Sequence, residues 1–276
     1  MEKIMVYIRW TGVSGLEITH NDQTILIDPY LSRIGKFKVF FRPLIPDREV
    51  IKKYLEGLSG ELSAIIVGHT HYDHALDIPE ISRYFDGPLI GSLSLERLMD
   101  MHGMPGRVCK CEGCERIELP GGAAVTMIPS MHGLVALGHV PYQGDIDPEV
   151  RLPLKAGAYR HGTVFMPKLE IDGKIFMHAG SANFIELELD GHYCDVLFMC
   201  IPGWKKNPEY TTLLLDILKP EVIVPFHFDD FSVPIPPSMK TPVLPLLDIT
   251  KFQKRLSQSA PYAEIIMPQI FNTMSF

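Results

Sequence analysis

The stretch that most restricts this chain is residues 63–74, where Ser63-Ala64-Ile65-Ile66-Val67 runs into His69-Thr70-His71-Tyr72-Asp73-His74. A run of small and β-branched residues fits a buried strand. At its extended end, side chains two apart project to one side, so His69 and His71 face together, while Asp73 and His74 follow at the turn into a helix. Four ligand-capable groups converge within six residues. Imidazole nitrogen and carboxylate oxygen suit zinc, and also manganese or iron, and one such turn can serve two neighbouring ions from opposite sides. A lone histidine would be read as a solvated or capping residue. Three histidines and an aspartate at this spacing, delivered by an apolar strand, point to metal.

Around that strand the pattern alternates. Residues 4–10, 16–20 and 24–28 read as an antiparallel meander, 49–58, 77–85 and 93–102 as helices, and 108–119 and 123–128 as strands. Periodicity is lost from 129 to 161, and Pro141, Pro148 and Pro153 mark a long irregular loop of the kind that carries function. Strands resume at 163–171 and 174–178 across Asp172-Gly173, a tight-turn dipeptide. Residues 195–200 and 221–225 read as strands, the second leading to His227, with a helix between them that starts at Pro208 and stops at Pro220. No solenoid repeat and no separating linker occurs, so residues 1–276 are read as one domain.

The 276 residues are 46% hydrophobic and 21% charged, an ordinary globular composition with length for a large core. With 26 basic against 33 acidic side chains the net charge is −7, which leaves no broad electropositive surface for a nucleic-acid backbone. No nucleic-acid partner is therefore expected, and a nuclease is disfavoured. The N-terminal residues lack the features of a signal peptide, and no run of about 18 apolar residues is found, so the expected location is cytoplasmic without membrane insertion. Five cysteines, three of them Cys109, Cys111 and Cys114, read as reduced structural thiols, with a redox or second metal role as the alternative.

His-x-His-x-Asp-His resembles the signature of the metallo-β-lactamase superfamily, and further landmarks of that family follow in order over nearly the whole chain. Thr24-Ile25-Leu26-Ile27-Asp28-Pro29 looks like its early strand ending in a structural Asp near the metals. Ser130-Met131-His132-Gly133 resembles the third motif, and Val224-Pro225-Phe226-His227 the last. The resemblance implies an αββα sandwich of two mixed β-sheets flanked by helices, in the α/β (α+β) class. It implies His69, His71 and His132 at one metal site, and Asp73, His74 and His227 at a second. One or two divalent ions are implied, zinc before manganese or iron, with metal-activated water as the attacking group and Asp73 and His74 as catalytic residues. One motif departs: His178-Ala179-Gly180-Ser181 stands where L-ascorbate-6-phosphate lactonase-like relatives carry His-Ala-Gly-Asp-Thr, whose Asp bridges both metals. A neutral hydroxyl is a poor ligand, so the second site is expected to be weaker or differently ligated, with Asp229 or Asp230 as candidate substitutes.

The activity so implied is hydrolysis of a lactone or ester-like bond in a small substrate, neutral or anionic. A phosphodiesterase is the second reading, since Asp77 after the motif also resembles N-acylphosphatidylethanolamine-hydrolysing phospholipase D. A non-catalytic metal- or ligand-binding member is the third. Candidate substrate contacts are Arg33 and Lys36, in a basic segment shared with Lys38, Arg42, Phe37, Phe40 and Phe41, then Tyr142, Tyr159, Arg160 and His161 in the long loop, and Trp204 after a strand. Plain packing, on the domain or on a partner subunit, is the alternative for these residues, and lactonase-like relatives often form homo-oligomers.

Overall fold

The computed structural model describes residues 5–135, 138–234 and 240–276. Ile4, where the first strand was expected to start, lies outside them. One sheet has seven strands. It contains β1 (Tyr7–Gly12), β2 (Gly15–His20), β3 (Gln23–Ile27), β4 (Glu61–Ile66), β5 (Leu89–Gly91) and β6 (Val108–Lys110) in sequence order, with β14 (Thr273–Ser275) outside β1. The other is also seven-stranded. It runs β7 (Arg116–Glu118), β8 (Ala124–Ser130), β9 (Val164–Ile171), β10 (Lys174–Ala179), β11 (Val196–Cys200), β12 (Val222–Phe226) and β13 (Glu264–Ile265). Each sheet is half antiparallel and half parallel: the meander β1 to β3 gives way to parallel β3 to β6, and β7 to β10 to parallel β10 to β13.

Turn chemistry fixes the hairpins. Asn21 and Asp22 at φ 48° and 57° join β2 to β3, and Asp172 and Gly173 at 49° and 78° join β9 to β10. Positive φ at both central residues matches the right-handed twist of the flanking strands.

The β4 run shows how alternation makes the layers. Ala64 and Ile66 face the core between the sheets, with Trp10, Ile18, Val125, Phe165 and Met177. Ile65 and Val67 face the opposite way, onto Ile78, Ile81, Leu95 and Leu98. Those four come from α4 (Ile78–Ile81) and α5 (Leu93–Met101), while α6 (Leu213–Leu218) and α7 (Ile249–Ser259) cover the second sheet through Leu214, Leu218, Phe252 and Leu256. Each fully buried Ile or Leu contributes about 1.5–3 kcal/mol. The result is the expected sandwich with helices outside. No helix among the described residues is long and apolar enough to cross a membrane.

Three element expectations are corrected. Residues 108–119 are not one strand: β6 lies at the edge of the first sheet and β7 at the edge of the second. Gly113 (φ 149°) and Cys114 (φ 64°) turn the chain between them, and the Glu115 carboxylate accepts the Glu112 and Gly113 N–H groups at 2.7 and 2.9 Å. The helix expected at 77–85 starts earlier and is broken, into α3 (Tyr72–Ala75), α4 and a 3-10 turn (Ser82–Tyr84), with Pro79 unable to donate within it. After Pro208 a 3-10 turn (Pro208–Thr211) precedes α6, which ends at Lys219 in the left-handed region (φ 47°).

Candidate metal centre

β3, β4, β10 and β12 deliver their carboxyl ends to one edge of the sandwich, the place where open α/β sheets bind ligands. Past β4, Gly68 donates to Asp28 Oδ1 at 2.7 Å and accepts from the Phe165 N–H at 2.8 Å, which pins the chain to both sheets immediately before His69. Thr70 then buckles the long loop to the motif: its N–H donates to His161 O at 3.0 Å and its hydroxyl to Arg160 O at 2.5 Å.

Three overlapping groups result, each with ligand atoms within 4.8 Å of one another: His69, His71 and His132; Asp73, His74 and His227; and Asp28, His69 and His74. The first two are the sets implied by the sequence resemblance. Their imidazoles are packed closely, with ring centroids 4.6 Å apart for His71 and His132 and 3.7 Å for His69 and His74. None of the three groups contains a cysteine, and all five thiols are free.

Hydrogen bonds set which nitrogen of each ring keeps its lone pair. His74 donates Nδ1–H to Asp28 Oδ2 at 2.7 Å and His132 donates Nδ1–H to Gly133 O at 2.8 Å, leaving Nε2 of both rings as the basic atom. His71 donates Nε2–H to Pro141 O at 3.1 Å, which leaves Nδ1. Two further buried nitrogens, His69 Nε2 and His227 Nδ1, have no partner among the described residues. Orphaned ring nitrogens amid uncharged imidazoles fit a divalent ion, which needs deprotonated ligands.

Burial, reinforced by neighbouring imidazoles, holds His69 and His71 well below the ordinary histidine range. It brings His132 down to about 4 and His227 to about 3. His74 is the exception. Burial opposes its charge too, but the Asp28 carboxylate outweighs that and raises it. Burial also raises the Asp73 carboxyl, against the pull of His74. Asp28 is fully buried and bonded to both Gly68 and His74.

The other candidates divide. Ser181 lines the cavity, but its Oγ accepts the Gly133 N–H at 2.9 Å and belongs to none of the ligand groups. Asp229 is turned away from the ligands: Oδ1 accepts the Val13 N–H at 2.8 Å and Oδ2 pairs with Arg33 at 2.8 Å. Asp230 pairs with Lys36 at 2.9 Å and accepts the Ser232 hydroxyl at 2.5 Å. Arg33 is thus a buried brace, and Lys36 with its aromatic helix α1 (Lys36–Phe41) lines a separate groove. Tyr142 lines the cavity beside the ligand groups, and His161 stacks 6.0 Å from His132. Tyr159 is buried in the core under the helices, the Arg160 side chain is exposed, and Trp204 packs on Phe252 at 5.3 Å, outside the metal cavity.

The cavity holds about 250 Å³ and is walled by Val135, Pro141, Cys200, Pro202, Phe231 and Leu244 as well as the ligands. Sequence reasoning passed over these wall residues. Cys200, which ends β11, and Pro202, just past it, had a positional signal in lying at the carboxyl end of a parallel strand, but the others had none. Asp77, noted only beside the motif, accepts from Leu31 N–H, Ser32 N–H and Ser32 Oγ–H at 2.6, 2.9 and 2.5 Å, and so holds the segment after Asp28 in place.

No known family profile matches the chain. It is similar to the UPF0173 metal-dependent hydrolase of Archaeoglobus fulgidus, 26% identical over 230 residues covering 82% of this chain and 84% of that protein. It is also similar to that of Lysinibacillus sphaericus, 24% identical over 228 residues covering 81% and 86%. Among solved structures, Igni18, a metallo hydrolase from Ignicoccus hospitalis, superposes with a TM-score of 0.66 at 19% identity over 99% of this chain and 98% of its own. The metallo-β-lactamase fold protein YhfI from Bacillus subtilis gives 0.61 at 10% identity over 99% and 100%. The two mixed sheets with their helical covers, and the superposition on YhfI over almost the whole of both chains, show that the chain has the metallo-β-lactamase fold.

Proposed function

We propose that the protein is a metal-dependent hydrolase acting on an uncharged lactone or carboxylic ester. One observation carries the reading: His71, His132 and His227, held neutral by burial, line a cavity whose other walls are largely apolar and which has no Lys or Arg among its described lining residues. His69, His71 and His132 would hold one ion, and Asp73, His74 and His227 a second. Zinc suits this donor set best. A bound ion supplies a water acidified toward neutral pH and an electrophilic partner for the acyl oxygen.

The chain's own groups do the rest. The Asp73 carboxylate, 3.8 Å from His227 Nε2, is placed to accept a hydrogen bond from the attacking water and orient it. Asp28 fixes the His74 ring, and Pro141 O fixes His71. The apolar wall excludes bulk water and strengthens each polar contact inside. A phosphodiester would have only the bound ions to pair with its charge, since no Lys or Arg is among the described lining residues to share it, and this favours the ester.

The test is turnover by zinc-loaded protein of neutral p-nitrophenyl esters and lactones beside bis(p-nitrophenyl) phosphate. Ester or lactone cleavage, lost in His71→Ala, is expected. Turnover of the phosphodiester alone, or of nothing, would overturn the reading.

A further inference from the structure

The wall made by Val135, Pro202 and Leu244 has two sides. The same three residues also line a second cavity of about 300 Å³, completed by Leu134, Trp204 and Leu247. Among its described lining residues the only charged ones are Lys205 and Lys206. Leu246, wholly exposed, also lines it and offers apolar surface to solvent. At about 250 and 300 Å³, neither cavity exceeds the low end of the usual ligand-pocket range of about 300–1,000 Å³, whereas the two joined fall within it.

We infer that the two cavities form one cleft, in which the first takes the scissile acyl group beside the metal ligands and the second takes an unbranched alkyl chain attached to it. The inference rests on the hydrolase reading and specifies its substrate class, a carboxylic ester or lactone bearing a long alkyl chain. Three points support it. The first cavity takes an acyl head and only a short chain, the wall formed by Val135, Pro202 and Leu244 is apolar toward both cavities, and the other cavities described, the groove beside Lys36 and the one beside Tyr159, share no wall residue with the first. A polar or phosphorylated extension would have to give up its hydration along the same wall, with only the two lysines to receive it.

Straight-chain alkyl hydroxamates, from acetyl to dodecanoyl, anchor on a metal through the head group and vary only in the tail. Their binding to zinc-loaded protein, measured by calorimetry, reads the cleft without needing turnover. The affinity is expected to rise roughly fourfold per methylene once the chain passes Leu244, and to level off when the second cavity is full. Leu134→Glu and Leu246→Glu, which put a carboxylate in the second cavity only, should remove the gain from the longer chains. Leu246 is wholly exposed, so that substitution does not threaten the fold. Equal affinity for short and long hydroxamates, no hydroxamate binding at all, or long-chain gain untouched by both substitutions would overturn the cleft. Chain-length-dependent binding with no ester or lactone hydrolysed would leave the cleft standing and remove the hydrolase reading. Short-ester hydrolysis with flat hydroxamate affinity would do the reverse.

Discussion

Asp28→Asn isolates the effect of one buried carboxylate on the proposed metal ligands while changing the packing little. Asp28 has no exposed surface, and its two oxygens serve two donors, Gly68 N–H on Oδ1 and His74 Nδ1–H on Oδ2, both at 2.7 Å. Asparagine offers one acceptor oxygen, so one donor must lose its partner and the surviving bond loses its charge assistance. A carboxylate behind a ligating imidazole raises its basicity and fixes its orientation, and removing such a partner costs 10- to 100-fold in metal affinity, about 1.4–2.8 kcal/mol. The affected site is the one His74 shares with Asp73 and His227. Zinc titration against a chelating indicator, fitted to two sites, should show the weaker affinity falling 10- to 100-fold and the stronger changing by less than about threefold. Urea unfolding of the metal-free variant should separately show a loss of about 1–3 kcal/mol from the unpaired buried group. Two affinities equal to those of the unsubstituted protein would refute the idea that Asp28 tunes His74.

Asp229→Ala leaves the buried Arg33 guanidinium without its carboxylate and should cost about 3–5 kcal/mol in urea unfolding, whereas Asp230→Ala, whose partner Lys36 is more than half exposed, should cost less than about 1 kcal/mol. Zinc stoichiometry should be unchanged in either variant, since both carboxylates point at cations of the chain. Gly133→Ala would put a Cβ within 3.0–3.1 Å of Ala182 backbone atoms, so the loop carrying His132 must shift; the stronger zinc site should weaken at least tenfold in the same titration. Metal-free protein should lose stability in acid: His132 and His227 stay neutral in the fold down to about 4 and 3, while the unfolded chain takes protons near 6.5. Their contribution is full above pH 6.5 and falls toward those folded values, by several kcal/mol at about 1.4 kcal/mol per unit. His74, raised in the fold, works in the opposite sense, contributing fully below 6.5 and losing that as pH rises through its folded value. Urea midpoints should fall from pH 6.5 to pH 4, and a flat profile over that range would contradict the buried neutral imidazoles.

The parts of the site that were legible in the sequence are those set by local chemistry. The alternation in β4 announced a strand and the ligand types behind it a turn into a helix; the strand ends at Ile66, so His69 and His71 lie in the loop after it rather than on its end, and Asp73 and His74 open α3. Asp172-Gly173 announced a hairpin because both positions need positive φ. The parts that were not legible depend on long-range partners. Residues 108–119 look like one strand because the Gly113 and Cys114 turn is stabilised by Glu115, and the sheets that claim each half are built from distant segments. Asp229 looks like a spare ligand next to His227 until Arg33 and Val13, some two hundred residues earlier, are seen to occupy it. The wall of Pro141, Phe231 and Leu244 has no local signature, since apolar residues in loops acquire meaning only from what they enclose.

The central claim is that His69, His71 and His132 hold a catalytic divalent ion, and anomalous diffraction at the zinc edge from zinc-soaked crystals tests it most directly. The expected result is a strong peak within coordination distance of all three imidazoles, with a second, weaker peak among Asp73, His74 and His227. Crystals at the same zinc concentration that show no peak between those three histidines, or peaks only at surface side chains, would contradict it.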